Sequence, residues 1–320
     1  MRKCFLAAAL AGLFFTATGA RSAAPCDEIV AKLPNVKRAL CESAKLQPSA
    51  AQSVQGRTLW LAEIKPEHPS LRVLVLGGIH GDELSSSAMA LQWIQLAQQA
   101  PAETPQVVHW RFIPLLNPDG LFNRPPRRVN ANGVDLNRNF PTLNWQRDAK
   151  EYWEKRTGKD PRRYPGPKAL SEPESRFLIE EIQRFQPQLI VSIHAPYGLL
   201  DFDGPAKDGY VPPSKLGRLY LDQIGIFPGS LGNYGGMHKG VPVVTIELAN
   251  STRTPLDAEM RQMWLDLLRW MGERVGPNRG PGVANSSGSG GSGGSGGGAT
   301  PAAMVVQVVP GRVSAAPRVP

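Results

Sequence analysis

Four short runs in this chain are rich in β-branched residues and apolar at successive positions, so they read as strands that need cover on both faces. They are residues 72–77 (RVLVLG), 107–116 (VVHWRFIPLL), 188–194 (QLIVSIH) and 241–248 (VPVVTIEL). Strands of this kind sit in sheets with helices on either side. Helical periodicity lies between and after them, at 83–99, 171–185 and 255–274. In the second helix Ser171 and Glu174 have the spacing of a capping box, and Pro173 suits a first helical turn. The expected fold is α/β: three layers, with a mostly parallel or mixed twisted sheet flanked by helices.

The two ends of the chain have a different character. Residues 1–24 combine Arg2 and Lys3 with an apolar stretch from Phe5 to Phe15 and small residues after it. That is the composition of a secretory signal peptide, too short for a membrane span. Residues 276–320, rich in Gly, Ser and Pro, are expected to form a disordered tail. One domain, 25–275, remains, and no other apolar run in it is long enough to cross a membrane. Export to the periplasm or the medium is the expected location. If Cys4 leaves with the leader, Cys26 and Cys41 remain as an even pair, which argues for a disulfide in an exported protein. The net charge of +9 loses Arg2, Lys3 and Arg21 with that leader. No groove-reading motif accompanies the charge, so nucleic acid is not an expected partner, whereas anionic wall polymer suits both charge and compartment. Oligomeric state is left open by the sequence.

Chemistry concentrates where the strands end. Residues 77–83, GGIHGDE, place His80, Asp82 and Glu83 directly after the first strand; His194 ends the third and Glu247 the fourth. Ligand sites in open α/β sheets lie at such carboxyl ends. A three-residue step into a helix can turn His80 and Glu83 toward one metal, although an acid at a helix start is also favoured by the helix dipole alone. A catalytic zinc takes three protein ligands and keeps one position for water. Of the five histidines, His68 lies in a Pro-flanked loop, His109 within a strand and His238 in a Gly-rich loop, which leaves His194 as the best partner for His80. Glu247 is an acid in an apolar strand end, where a carboxylate needs a partner, and glutamate commonly takes the proton from metal-activated water. The loop RRVNANGVDLNRNFP (127–141) adds Arg128, Asn130, Asn137, Arg138 and Asn139. Guanidiniums and amides in such density suit recognition of carboxylates or of an oxyanion.

The segments GGIHGDE, NPDG, RRVNANGVDLNRNFP, SIHAPYG and TIEL, in this order between about residues 70 and 250, resemble the zinc carboxypeptidase family. The resemblance implies a zinc carboxypeptidase-like catalytic domain over 25–275, with one Zn²⁺ bound by His80, Glu83 and His194. It further implies that Glu247 is the general base and later protonates the leaving amine. Arg128 would polarise the scissile carbonyl and hold its oxyanion, while Asn137 and Arg138 would bind a free substrate carboxylate. Within the family, NANGVDLNRNFPTLNW, PGPKALSEPES and FPGSLGNYG look most like the murein peptide amidase A branch. That likeness implies hydrolysis of peptidoglycan-derived peptides between γ-D-glutamate and meso-diaminopimelate. Asp201 and Asp203 in LLDFDGP are candidates to meet the ammonium of such a residue. One departure is that QIGIFPGS carries no tyrosine before Gly229–Ser230, where many members have a mobile one, so no tyrosine is assigned. Two alternatives stand beside this expectation: a general metallocarboxypeptidase trimming C-termini, and a catalytically inactive wall-binding module.

Overall fold

A computed structural model describes residues 25–33, 35–99, 107–204 and 211–275. The leader and tail expected at 1–24 and 276–320 lie outside the described residues. The chain opens with helices α1 (Cys26–Lys32) and α2 (Arg38–Ser43), then strands β1 (Gln47–Gln52), β2 (Thr58–Ile64) and β3 (Leu71–Leu76). Helix α3 (Leu84–Gln98), β4 (Val108–Ile113), and helices α4 (Pro118–Phe122), α5 (Trp145–Lys155) and α6 (Pro173–Phe185) follow. The last part holds β5 (Leu189–His194), β6 (Leu199–Asp203), the two-residue strands β7 (Lys215–Leu216) and β8 (Leu219–Tyr220), β9 (Val243–Glu247) and α7 (Asp257–Arg274).

Seven strands form one sheet in the order β1-β2-β4-β3-β5-β9-β6. The four inner strands β4, β3, β5 and β9 are mutually parallel, while β1, β2 and β6 add at the edges antiparallel. The four inner strands are those legible from the sequence. Alternate side chains along β3 feed different cores: Val73 and Val75 pack with α3 and α7, Leu74 and Leu76 with α6. This double burial is why the run LRVLVL carries no polar alternation. On the α3/α7 side, Trp264 meets Trp93 and Trp110 with ring centroids 5.3 and 4.8 Å apart. No helix among the described residues is long and apolar enough to cross a membrane.

The capping box at Ser171 and Glu174 does not form. The N-cap is Glu172, in extended conformation, with Pro173 at the first position. Ser171 Oγ instead donates to the Glu172 carboxylate and accepts from Asn139 Nδ2. Glu174 is drawn into the interior, where it accepts from Val54 N and Asn130 Nδ2. Tertiary hydrogen bonds have taken both partners of the local motif.

Cys26 and Cys41 form a disulfide that ties α1 to α2 across 15 residues of sequence. Both cysteines are buried in the α3/α7 core, so the bridge anchors the N-terminal helices to the sheet. Closing a loop of that length restricts the unfolded chain by roughly 3 kcal/mol. The double variant C26S/C41S should therefore lower the unfolding free energy by about that amount in chemical denaturation. A stability equal to that of the parent would show that the bridge adds nothing.

Candidate metal centre and active site

The site is built at the carboxyl edge of the parallel strands. After β3 the chain must turn sharply: Gly78 takes φ +60°, and a Cβ on Gly81 would collide with the backbone of Gly120 and Leu121. Ser86 holds this turn, its Oγ accepting from Gly78 N and donating to Glu83 O. His80 and Glu83 are thereby delivered to the start of α3. Glu83 is the N-cap residue, yet its carboxylate makes no cap and faces the sheet edge instead. His194 is the last residue of β5, and Glu247, the last of β9, is its register partner.

His80 Nδ1 lies 2.7 Å from Glu83 Oε1, and His194 Nδ1 lies 3.1 Å from Glu83 Oε2. The two Nδ1 atoms are 3.2 Å apart. All three residues are buried, and their ligand atoms fall within 4.8 Å of one another, the one such grouping among the described residues. Two donors bound tetrahedrally at zinc's usual distances lie about 3.3 Å apart. The spacing, the nitrogen and carboxylate chemistry and the burial thus all fit a zinc ion held by three protein ligands. The far nitrogens are also engaged: His80 Nε2 lies 3.1 Å from Asp135 Oδ1, and His194 Nε2 lies 3.0 Å from Ser192 Oγ. Such outer partners fix ring orientation and leave Nδ1 to face the centre. Burial pushes the Glu83 carboxyl up, but His80 and His194 outweigh it and hold the group far below the usual carboxylate range.

Asp135 is a functional residue that sequence reasoning passed over. It is fully buried, sits beside His80, and accepts from Arg128 Nε at 3.0 Å, with Arg128 Nη2 also at 3.0 Å. Burial works against its charge, while Arg128 and His80 more than compensate, so it stays ionised. One carboxylate therefore orients both a metal-facing imidazole and a guanidinium. The signal available was its place in DLNRN, two and three residues before Asn137 and Arg138.

A cavity of about 250 Å³ opens over this cluster, lined by His80, Glu83, Arg128, Asn137, Arg138, His194 and Glu247. The seven residues to which the resemblance assigns a ligand, base or binding role therefore line one cavity. Glu247 is buried, and its Oε2 has no partner among the described residues; burial, with Glu83 adding, pushes its carboxyl up to about 8. Arg138 is buried with its guanidinium 4.5 Å from the Phe227 ring centroid, and its Nε lacks a partner among the described residues. Asn137 Oδ1 accepts from Leu231 N, which leaves its amide N–H groups to donate elsewhere. Asn130 and Asn139 are not in the cavity. Asn130 binds Glu172 and Glu174, and Asn139 binds the backbone at Pro165 and Lys168, so both brace the loop that carries Arg128 and Arg138. Of the other histidines, His109 pairs with Glu63, His68 is exposed, and His238 accepts from Leu143 N. Tyr197 lines the cavity; Tyr220 and Tyr234 do not.

The profile of the zinc carboxypeptidases matches residues 37–201. Murein peptide amidase A of Escherichia coli strain K12 is 38% identical over 164 residues, which are 50% of this chain and 64% of that relative, so the match spans a little under two thirds of its length. The Vibrio campbellii protein of the same name is 34% identical over 210 residues, covering 62% of this chain and 78% of the relative. Among solved structures, the murein-tripeptide amidase of Escherichia coli O157 aligns with a TM-score of 0.50 at 27% identity, over 70% of this chain and 92% of that one. Bovine thrombin-activatable fibrinolysis inhibitor aligns at 0.55 with 16% identity, over 78% and 94% of the two chains, a likeness of fold alone. Matched by the profile over about half its length, and with a His-Glu-His cluster spaced for zinc, this chain belongs to the zinc carboxypeptidase family of hydrolases.

Proposed function

We propose that this protein is a zinc-dependent peptidase or amidase of peptidoglycan stem peptides, cutting between γ-D-glutamate and meso-diaminopimelate outside the cytoplasm. The observation that carries the reading is one cavity lined by three residues spaced to hold a metal, a buried glutamate whose Oε2 has no partner among the described residues, and the guanidiniums of Arg128 and Arg138. The likeness to murein peptide amidases of two bacteria supports the substrate class. A buried disulfide suits an oxidising compartment, which supports the location.

A zinc ion would be held by His80, Glu83 and His194, where it would supply Lewis acidity toward a carbonyl and make a water proton more acidic. The residues around it do the rest. Glu247, with its free Oε2 in the same cavity, accepts that proton and returns it to the leaving nitrogen. Arg128 is held by Asp135 through Nε and Nη2, so the remaining edge of its guanidinium stabilises charge developing on the scissile carbonyl oxygen. Arg138 Nε and the Asn137 amide receive a substrate carboxylate, an interaction that is strong where both groups are desolvated. A second reading follows from that same Arg138 donor, since any free C-terminal carboxylate would satisfy it. On that reading the protein trims ordinary peptides.

Mass spectrometry of purified muropeptides after incubation with zinc-loaded protein separates the two. Release of diaminopimelate-containing peptides from γ-D-glutamate is the expected result. Inert muropeptides combined with trimming of plain L-peptides would favour the general carboxypeptidase.

The role of Glu247 has its own test. The variant Glu247→Gln should retain zinc by elemental analysis while kcat falls by roughly 10²–10⁴-fold. Near-parental turnover with zinc bound would remove Glu247 from the mechanism.

A further inference from the structure

Four guanidiniums line the cavity, those of Arg128, Arg138, Arg162 and Arg163, and the chemistry described above uses only the first two. Asp82 is likewise unused. It stands between His80 and Glu83 in the chain, yet its carboxylate lies outside their metal grouping and lines the cavity instead. Asp82 Oδ2 accepts from Arg162 Nη2 at 2.7 Å, across 80 residues of sequence. Among the described residues this is the one hydrogen bond of the Arg162 guanidinium, so its other N–H groups are left to donate elsewhere.

The ion pair is not needed to hold the backbone that carries it. Arg162 is the middle residue of a 3₁₀ turn, Pro161–Arg163, which Asp160 caps by accepting from Arg162 N at 2.9 Å. Trp153 Nε1 of α5 donates to Asp160 O, and Asp135 N donates to Tyr164 O, so the turn is fastened on both sides. Trp153 and Tyr164 also pack together, with ring centroids 4.9 Å apart. The Arg162 and Asp82 side chains are 57% and 24% exposed, and a pair so open to water adds little to stability. What the contact does is aim a long side chain that solvent would otherwise leave free to change rotamer. Arg163 is held less firmly, its Nε 3.5 Å from Asp160 Oδ2, and it adds a further positive charge to the cavity.

A peptide bond made through the γ-carboxyl of glutamate leaves the α-carboxylate free, a few bonds from the scissile carbonyl and on its acyl side. An ordinary α-linked peptide has no backbone anion at that place. In the reading above, Arg138 takes a carboxylate beyond the leaving nitrogen and Arg128 faces the carbonyl oxygen, so this second anion needs a cation of its own. We propose that Arg162, aimed by Asp82 and assisted by Arg163, binds the free carboxylate on the acyl side of the scissile bond. The inference rests on the γ-glutamyl linkage proposed above. A guanidinium fork can keep one carboxylate on one N–H while offering its remaining donors to another. Arg162 is then a binding residue and Asp82 a positioning residue, and together they read how the glutamate is linked.

Isothermal titration of zinc-loaded Glu247→Gln protein tests this with two probes. One is L-alanyl-γ-D-glutamyl-meso-diaminopimelate; the other is the same peptide with the glutamate α-carboxylate replaced by a carboxamide. The two are equal in size and differ by a single charge. The carboxylate peptide should bind at least about fivefold more tightly, and adding Arg162→Gln should bring the two affinities to within about twofold. Adding Asp82→Asn should narrow the gap in the same direction, and should narrow it no further once Arg162→Gln is present. Equal affinities in the Glu247→Gln protein, no measurable binding of the carboxylate peptide, or a preference that survives Arg162→Gln would each overturn the proposal. A gap that Asp82→Asn leaves unchanged would overturn the positioning role. The comparison of the two probes on Glu247→Gln protein is decisive alone, so a further variant that fails to fold does not rescue the idea. An affinity gap of the expected size, with both peptides left intact by the zinc-loaded parent, would sink the hydrolytic reading and keep this carboxylate site. Cleavage of both peptides with equal affinities would do the reverse.

Discussion

Burying two imidazoles and a carboxylate against one another is unfavourable unless a positive charge is shared among them. His80 and His194 bring their Nδ1 atoms to 3.2 Å, with both oxygens of Glu83 turned toward them, in a pocket shielded from water. Two nitrogen lone pairs at that distance repel, so a proton or a metal cation has to stand between them. The remaining features of the site presuppose the metal. Asp135 steadies the outer nitrogen of His80, and the same carboxylate locks Arg128. Glu247 lines the same cavity, with one carboxylate oxygen, Oε2, that has no partner among the described residues. A loop more than twenty residues long is braced by Asn130, Asn139, Glu172 and Glu174 for the sake of two guanidiniums.

The sheet explains how residues so far apart in the chain meet. β3, β5 and β9 are neighbours in the order β3-β5-β9 and run in parallel, so their carboxyl ends share one edge. His80 follows the first of these ends, and His194 and Glu247 occupy the other two. β6 returns antiparallel beside β9, which carries Asp201 and Asp203 back under the same cavity. The groups that line the cavity therefore stand on adjacent strands of one sheet.

The legible part of the fold is the part buried on both faces. β3, β4, β5 and β9 announce themselves because no alternate residue needs to be polar. β1 (QPSAAQ) is an edge strand with mostly exposed residues, and nothing in its composition separates it from a loop. β6 (LLDFD) hides for a different reason: its two acids look like turn residues, and only the sheet register turns them toward a cavity. The site was legible through His80, Glu83, His194 and Glu247 because titratable groups at the ends of apolar strands are costly and so demand a role. Asp135 escaped because its partners, His80 and Arg128, lie 55 and 7 residues away, and only the folded loop brings them together. Ser171 and Glu174 mislead for the same reason in reverse: a valid local motif loses its groups to longer-range partners.

Crystals grown with zinc, with diffraction recorded on both sides of the zinc absorption edge, show whether the ion sits among His80, Glu83 and His194. One anomalous peak per chain is expected, bonded to Nδ1 of His80, Nδ1 of His194 and the Glu83 carboxylate, at about 2.0–2.2 Å from each. A peak elsewhere, or density among these three side chains with no anomalous signal, would contradict it.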